Sequence, residues 1–163
     1  MKDNITKSIL TAVLTIIFSR IGIVVIPIFL LLLSSIFDYV TGICAAKYRN
    51  QEISSDVGKK GIYKKLAMFS IIIACFLVDV LIIYGCVVLD VNVKFYFVVT
   101  TLVSILLFLN EIISILENIK DIGSYIPNWL LPFIKNVHSK VEEAAEEVTT
   151  KNLNSIAEKQ KEE

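Results

Sequence analysis

The sequence is poor in the residues from which catalytic and metal centres are built. It holds a single histidine, His138, so no His-based zinc site can be assembled from this chain alone. Its three cysteines, Cys44, Cys75 and Cys86, are odd in number and scattered, which supplies neither a disulfide framework nor metal-ligand spacing. Cys44 and Cys75 fall in apolar helical sequence, where a free thiol behaves as a small hydrophobe. No phosphate-binding glycine loop and no nucleophile elbow is present. Asp79 and Glu111 lie in apolar surroundings, but no spacing links them to a base or nucleophile. These absences argue for a non-enzyme, with no cofactor, no metal and no nucleic-acid partner expected.

Charge is missing over long stretches as well. Between Lys7 and Asp38 the only charged residue is Arg20. As one helix, residues 5–37 would run roughly 50 Å at about 1.5 Å per residue, against a bilayer core of about 30 Å. Centring that span on Arg20 would bury its charge at mid-membrane, at a cost of at least about 2.5 kcal/mol. Splitting the run at Arg20 avoids this cost. Residues 1–20 are then an N-terminal amphipathic helix, with Asn4, Ser8, Thr11, Thr15 and Ser19 on one face, lying at the interface or, as the alternative, inserting as a further span that lines a pore. A signal peptide is not expected, because the apolar stretch runs too long and lacks a convincing cleavage site.

What is present is apolar sequence in blocks. Apolar residues make up 55% of the chain, and charge is concentrated in residues 47–65 and 135–163. The pattern predicts an all-α membrane protein with three transmembrane helices at about 21–43, 66–84 and 95–116. Pro27 is expected to kink the first span without breaking it. Gly85 to Lys94 reads as a short turn, and Gly123 and Pro127 as the stop after the third span. Residues 21–135 form the transmembrane domain. Trp129, Leu130 and Phe133 read as an interfacial anchor. Residues 136–163 form a charged tail, expected as a solvated helix fading into disorder.

The formal net charge of zero averages two opposite patches. The segment 47–65, read as a loop, carries Lys47, Arg49, Lys59, Lys60, Lys64 and Lys65 against Glu52 and Asp56, whereas the loop near 85–94 carries only Lys94. The positive-inside rule then places the first loop and the C-terminal tail in the cytoplasm and the N-terminus outside. The same lysines would attract anionic lipid headgroups.

Inside the spans, polar residues form stripes. Thr100, Ser104, Glu111, Ser114 and Asn118 share one side of the third helix, within an arc of about 80° at about 100° per residue, interrupted by Leu107. Ser34, Asp38 and Thr41 repeat at spacings of four and three on the first span. Ala67, Ser70 and Ala74 give the second a small-residue face of the kind that lets helices approach closely. An ionisable residue within a span is a functional candidate, because lipid exposure is costly. Asp38 and Glu111 lie near one membrane face, where hydration alone would satisfy them. Asp79 lies deeper and must face protein or water. Pore-lining or helix-packing candidates are therefore Ser34, Asp38, Thr41, Asp79, Thr100, Ser104, Glu111 and Ser114.

Two blocks carry a family resemblance. The first is Asp38, Thr41 and Gly42, followed by Ser54, Ser55, Gly58, Lys60, Gly61, Lys64 and Lys65; the second is Glu111, Ser114, Ile115, Leu116, Glu117 and Asn118, then Gly123, Pro127 and Leu130. In order and spacing they resemble the toxin-secretion/phage-lysis holin family, over roughly residues 30–135. The N-terminal helix and the tail fall outside the resemblance, and that helix is longer and more apolar than the leader usual in the family. The resemblance implies a small multi-span protein of the bacterial cytoplasmic membrane that assembles with copies of itself. It also implies lesions that release an endolysin for host-cell lysis, or export of a large toxin in the toxin-associated branch, neither cargo necessarily by direct contact. An accessory platform or a small selective channel are the competing expectations.

Overall fold

The protein is all-helical in a computed structural model, which describes the backbone of residues 2–51, 55–88 and 97–159; side chains are described for 22, 24–51, 58–88, 97–147 and 150. Four helices follow in chain order: α1 (Lys2–Tyr48), α2 (Ser55–Val88), α3 (Val98–Asp121) and α4 (Leu130–Lys159). Three segments are long and apolar enough to cross a membrane: Val24–Tyr48, Gly58–Val88 and Val98–Asp121. α3 is the central element. α1 packs along it most extensively, α2 and α4 each pack on it less, and α1 and α2 make no backbone approach of comparable extent.

The first departure from the sequence reading is α1, which runs through Arg20 without a break. A separate helix over residues 1–20 is therefore not formed. The physical reason is local: residues 4–21 contain neither glycine nor proline, so nothing interrupts the hydrogen-bond ladder at Arg20. Pro27 lies inside the helix, which continues past it. The faces of the N-terminal segment involve side chains outside the described residues.

The second departure is the supposed 47–65 loop. α1 ends at Tyr48 and α2 begins at Ser55, so Lys59, Lys60, Lys64 and Lys65 sit on the opening turns of a helix. α1 closes with Asn50 in the left-handed region (φ 54°), Asn50 N–H donating to Lys47 O at 3.2 Å and Gln51 N–H to Ala46 O at 3.0 Å. This is the 5→2 and 6→1 pattern that satisfies the last carbonyls of a helix, with asparagine in the place usually taken by glycine. Gly85 is helical as well, because α2 extends to Val88; residues 89–94 of the expected turn, and the expected third-span start at 95–96, lie outside the described residues.

α3 ends by the same device as α1. Gly123 has φ +84°, its N–H donates to Lys120 O at 2.9 Å, and Ser124 N–H donates to Ile119 O at 3.2 Å. The tail then returns to helix from Leu130 and stays helical to Lys159. The fade expected after residue 139 is not seen over that range, since its Glu, Lys and Ala content favours helix even where no core can form.

The face of α1 turned inward repeats every seven residues: Val24, Leu31, Asp38 and Ala45. On α3, Ser104, Glu111 and Asn118 repeat at the same interval. A seven-residue repeat on two helices is the pattern of close side-by-side packing. Here the seam is unusually polar. Ser34, Ser35, Asp79, Thr100 and Ser104 are each 0–4% exposed.

Candidate functional site

The seam holds two polar clusters, one at each end of α2. At the end near the α1–α2 connector, Lys65 of α2 reaches between α1 and α3. Its Nζ donates to Asp38 Oδ2 at 2.6 Å and also to Glu111 Oε2. The Asn118 carboxamide donates to Asp38 Oδ1 at 3.2 Å and to Thr41 Oγ1 at 3.3 Å. Thr41 Oγ1 in turn donates back to the carbonyls of Phe37 and Asp38. The three charged side chains are only 12–19% exposed. One ammonium therefore holds carboxylates from both neighbouring helices, and a buried pair of this kind is costly to break from one side.

Around this cluster small residues set how closely the helices approach. The Tyr39 side chain of α1 lies over Gly58 and Gly61 of α2, where an added Cβ would sit 3.6 Å from its hydroxyl and 3.7 Å from its ring, respectively. Gly42 of α1 faces the Asn118 carboxamide at 3.6 Å from its own missing Cβ. A cavity of about 830 Å³ opens between α1, α2 and α3 here; its polar wall includes Asp38, Gln51, Lys64, Lys65, Asn110 and Glu111. Farther toward the connector, Arg49 pairs with Asp121 at 2.6 Å on the surface.

The second cluster joins α2 to the start of α3. Phe97 precedes α3 with φ 57° and offers no side-chain cap. Asp79 of α2 supplies the cap instead: its carboxylate accepts Val99 N–H at 3.2 Å, Thr100 N–H at 2.7 Å and Thr100 Oγ1–H at 2.6 Å. Helix starts leave such amides without intrahelical partners, and carry a partial positive charge that favours an anion. Phe76 stacks on Phe97 beside it, with ring centroids 5.3 Å apart.

The sequence candidates fall into place unevenly. Asp38, Gly42, Gly58, Gly61, Lys65 and Glu111, drawn from both motif blocks, line one cavity, and Asn118 and Thr41 join Asp38 behind it through hydrogen bonds. Ser114 and Lys64 also line that cavity. Ser34 and Ser104 are buried in the seam and donate to their own helix, to Leu31 O and Thr100 O. Glu117 lies outside the cluster, paired at 2.8 Å with Lys135 of α4. Lys47, Lys60 and Lys64 are exposed at the connector end; Gly123 makes the α3–α4 turn, and Pro127 follows it. Ser54 lies outside the described residues, as does the side chain of Ser55.

Three features are not legible in the sequence. Lys65 reads there as a topology-setting charge, yet it ties three helices together. Asp79 and Thr100 read as separate candidates, and nothing in their spacing announces that one caps the helix of the other. Asn110 is exposed within the α3 span and lines the cavity, although it stands off the polar stripe.

Among the described residues no cluster of His, Cys, Asp and Glu is placed to hold a metal ion. What the fold and seam define is a small multi-span membrane protein whose buried polar groups lie between its own helices. The bacteriophage holin family profile matches residues 12–139, which is most of the chain, and the protein belongs to that family. The match reaches into the N-terminal segment that the motif blocks left out. The chain is also similar to two proteins of Clostridium perfringens. An uncharacterised protein of strain 13 / Type A is 30% identical over 114 residues, 70% of this chain and 76% of the relative. An uncharacterised 14.9 kDa protein in the nagH 3′ region is 30% identical over 115 residues, 71% of this chain and 79% of the relative. No solved structure matches.

Proposed function

We propose that this chain is a phage-type holin. It accumulates in the bacterial cytoplasmic membrane, assembles with copies of itself, and opens lesions through which an endolysin reaches the cell wall. The observation that carries this reading, beside the family match, is the polar seam. Ser34, Asp38, Thr41, Asp79, Thr100, Ser104, Glu111 and Asn118 find partners inside one protomer, so none of them faces lipid unpaired in the stored chain. The same groups tolerate water, so helices that part in a dense assembly present a wettable surface. The pore-lining candidates thus face inward in the stored protomer and line the lesion only after rearrangement. The Ala67, Ser70 and Ala74 face of α2 is exposed and suits contact between copies.

Under the positive-inside rule, the basic residues of α1's end and α2's first turns favour a cytoplasmic connector, and with three spans a cytoplasmic C-terminal helix. Export of a large toxin is the same lesion with a different cargo. An accessory platform and a selective channel are the two competing functions. Inducible expression with and without a co-expressed endolysin separates them. A holin gives a delayed, abrupt loss of membrane potential and viability, with lysis only when the endolysin is present. A platform gives neither, and a selective channel changes ion flux without releasing a folded enzyme. Retention of endolysin after membrane depolarisation would overturn the proposal.

A further inference from the structure

We infer that the cavity between α1, α2 and α3 is a hydrated vestibule that penetrates about a third of the membrane within a single protomer. Its ligand is water, and with water any small hydrophilic solute that fits.

The argument rests on where polar groups lie along α3. Asn110 is seven residues short of Glu117, the nearest exposed charge toward the connector end of the helix. At about 1.5 Å per residue this puts its carboxamide roughly 10 Å deep, about a third of the way into a hydrocarbon core of about 30 Å. The side chain is exposed and on the cavity wall. A carboxamide left facing acyl chains at that depth would lose its hydrogen bonds to water and gain none in return, so the space it faces must be wet. Further polar groups share the wall with apolar Ile43, Met68, Ile71 and Leu107. Glu111 and Ser114 continue it toward the connector, Asp38 and Lys65 flank it, and Gln51 of the connector itself lines its rim. At about 830 Å³, the space holds far more than one water at roughly 30 Å³ each.

The opposite side of α3 supplies the contrast. At nearly the same depth Phe108 lines a groove with Leu30, Leu33, Phe37, Ile112 and Ile115, an apolar surface suited to lipid. One helix therefore separates a wet face from a dry one. The vestibule follows from the membrane reading of the fold and needs neither lysis nor assembly to exist.

Thiol accessibility tests it. Cys44, Cys75 and Cys86 are replaced by alanine, and single cysteines are introduced as Gln51→Cys, Asn110→Cys, Ser114→Cys and Phe108→Cys. Each full-length variant is placed in sealed vesicles of either orientation and treated with a membrane-impermeant methanethiosulfonate. Gln51→Cys reports which side the connector occupies. Asn110→Cys and Ser114→Cys should react from that same side, at least tenfold faster than Phe108→Cys. Protection of both Asn110→Cys and Ser114→Cys, whether by lipid or by a second copy, overturns the vestibule, as does reaction only from the other side. A failed lysis assay with these labelling rates intact would remove the holin reading alone.

Discussion

Asp79 does for α3 what a helix usually obtains from its own first residues. Phe97 has no side chain able to cap, so the carboxylate of a neighbouring helix accepts two amides and a hydroxyl at 4% exposure. Removing it leaves those donors without partners in a buried setting, where each cap is worth about 1 kcal/mol and an unsatisfied group costs about 1–3 kcal/mol. Asp79→Ala should therefore destabilise the bundle by at least about 2 kcal/mol, read as a lower midpoint of helix loss on SDS titration of the micelle-solubilised protein. Asp79→Asn keeps one acceptor oxygen and should fall between. Ser35 is the reverse case. Its buried Oγ has no hydrogen-bond partner among the described residues, so Ser35→Ala should be neutral or slightly stabilising in the same titration. Lys65 carries more than either. Lys65→Met strands two carboxylates and should cost about 3–5 kcal/mol, while adding Asp38→Asn and Glu111→Gln should recover most of the loss. Failure of that rescue would mean that packing of the lysine stem, and not its charge, matters here.

At the scale of elements, α2 depends on small residues to approach α1. An added Cβ at Gly61 would meet the Tyr39 ring at 3.7 Å, an ordinary contact distance. Gly61→Ala should be tolerated, whereas Gly61→Leu should pry the connector ends of α1 and α2 apart and destabilise by about 1–3 kcal/mol. The SDS midpoint checks this, and equal midpoints for the two variants would show that α2 is free to move aside. The spans themselves are legible in the sequence because apolar blocks of this length have few other places to go. Their ends are less so. The lysines of 59–65 look like loop composition, but α2 begins earlier and tolerates Gly58 and Gly61 within its opening turns. Arg20 looks like a boundary when charge is weighed against lipid, while the backbone responds to local hydrogen bonding and carries α1 through it. The motif glycines and Asp38, Lys65, Glu111 and Asn118 are each visible as residues. Their convergence is not, because Lys65 joins Asp38 across 27 residues and Glu111 across 46, and no helical periodicity spans such separations.

For the whole molecule, we propose a boundary of the working unit near residue 139. The family match ends there, and among the described residues the last ion pair tying α4 to the three-helix body is Lys135 with Glu117, exposed by about half on both sides. Pairs so exposed are worth about 0–1 kcal/mol, so α4 gains little from its charge and is held by its packing on α3. Beyond Ser139 the chain is rich in Glu and Lys and has no apolar run able to enter a bilayer. A chain ending at Ser139 should therefore insert normally, keep an unchanged SDS midpoint, and still open lesions when expressed with an endolysin. Under the proposed function, what it should lose is control of timing, because Glu142, Glu143, Glu146 and Glu147 would give neighbouring copies a repulsive collar that opposes crowding at close range and is screened beyond about 10 Å. Earlier lysis by the truncated chain at equal membrane levels is the expected result. Lysis at the normal time would assign the collar no role, and loss of lesions altogether would extend the working unit into the tail.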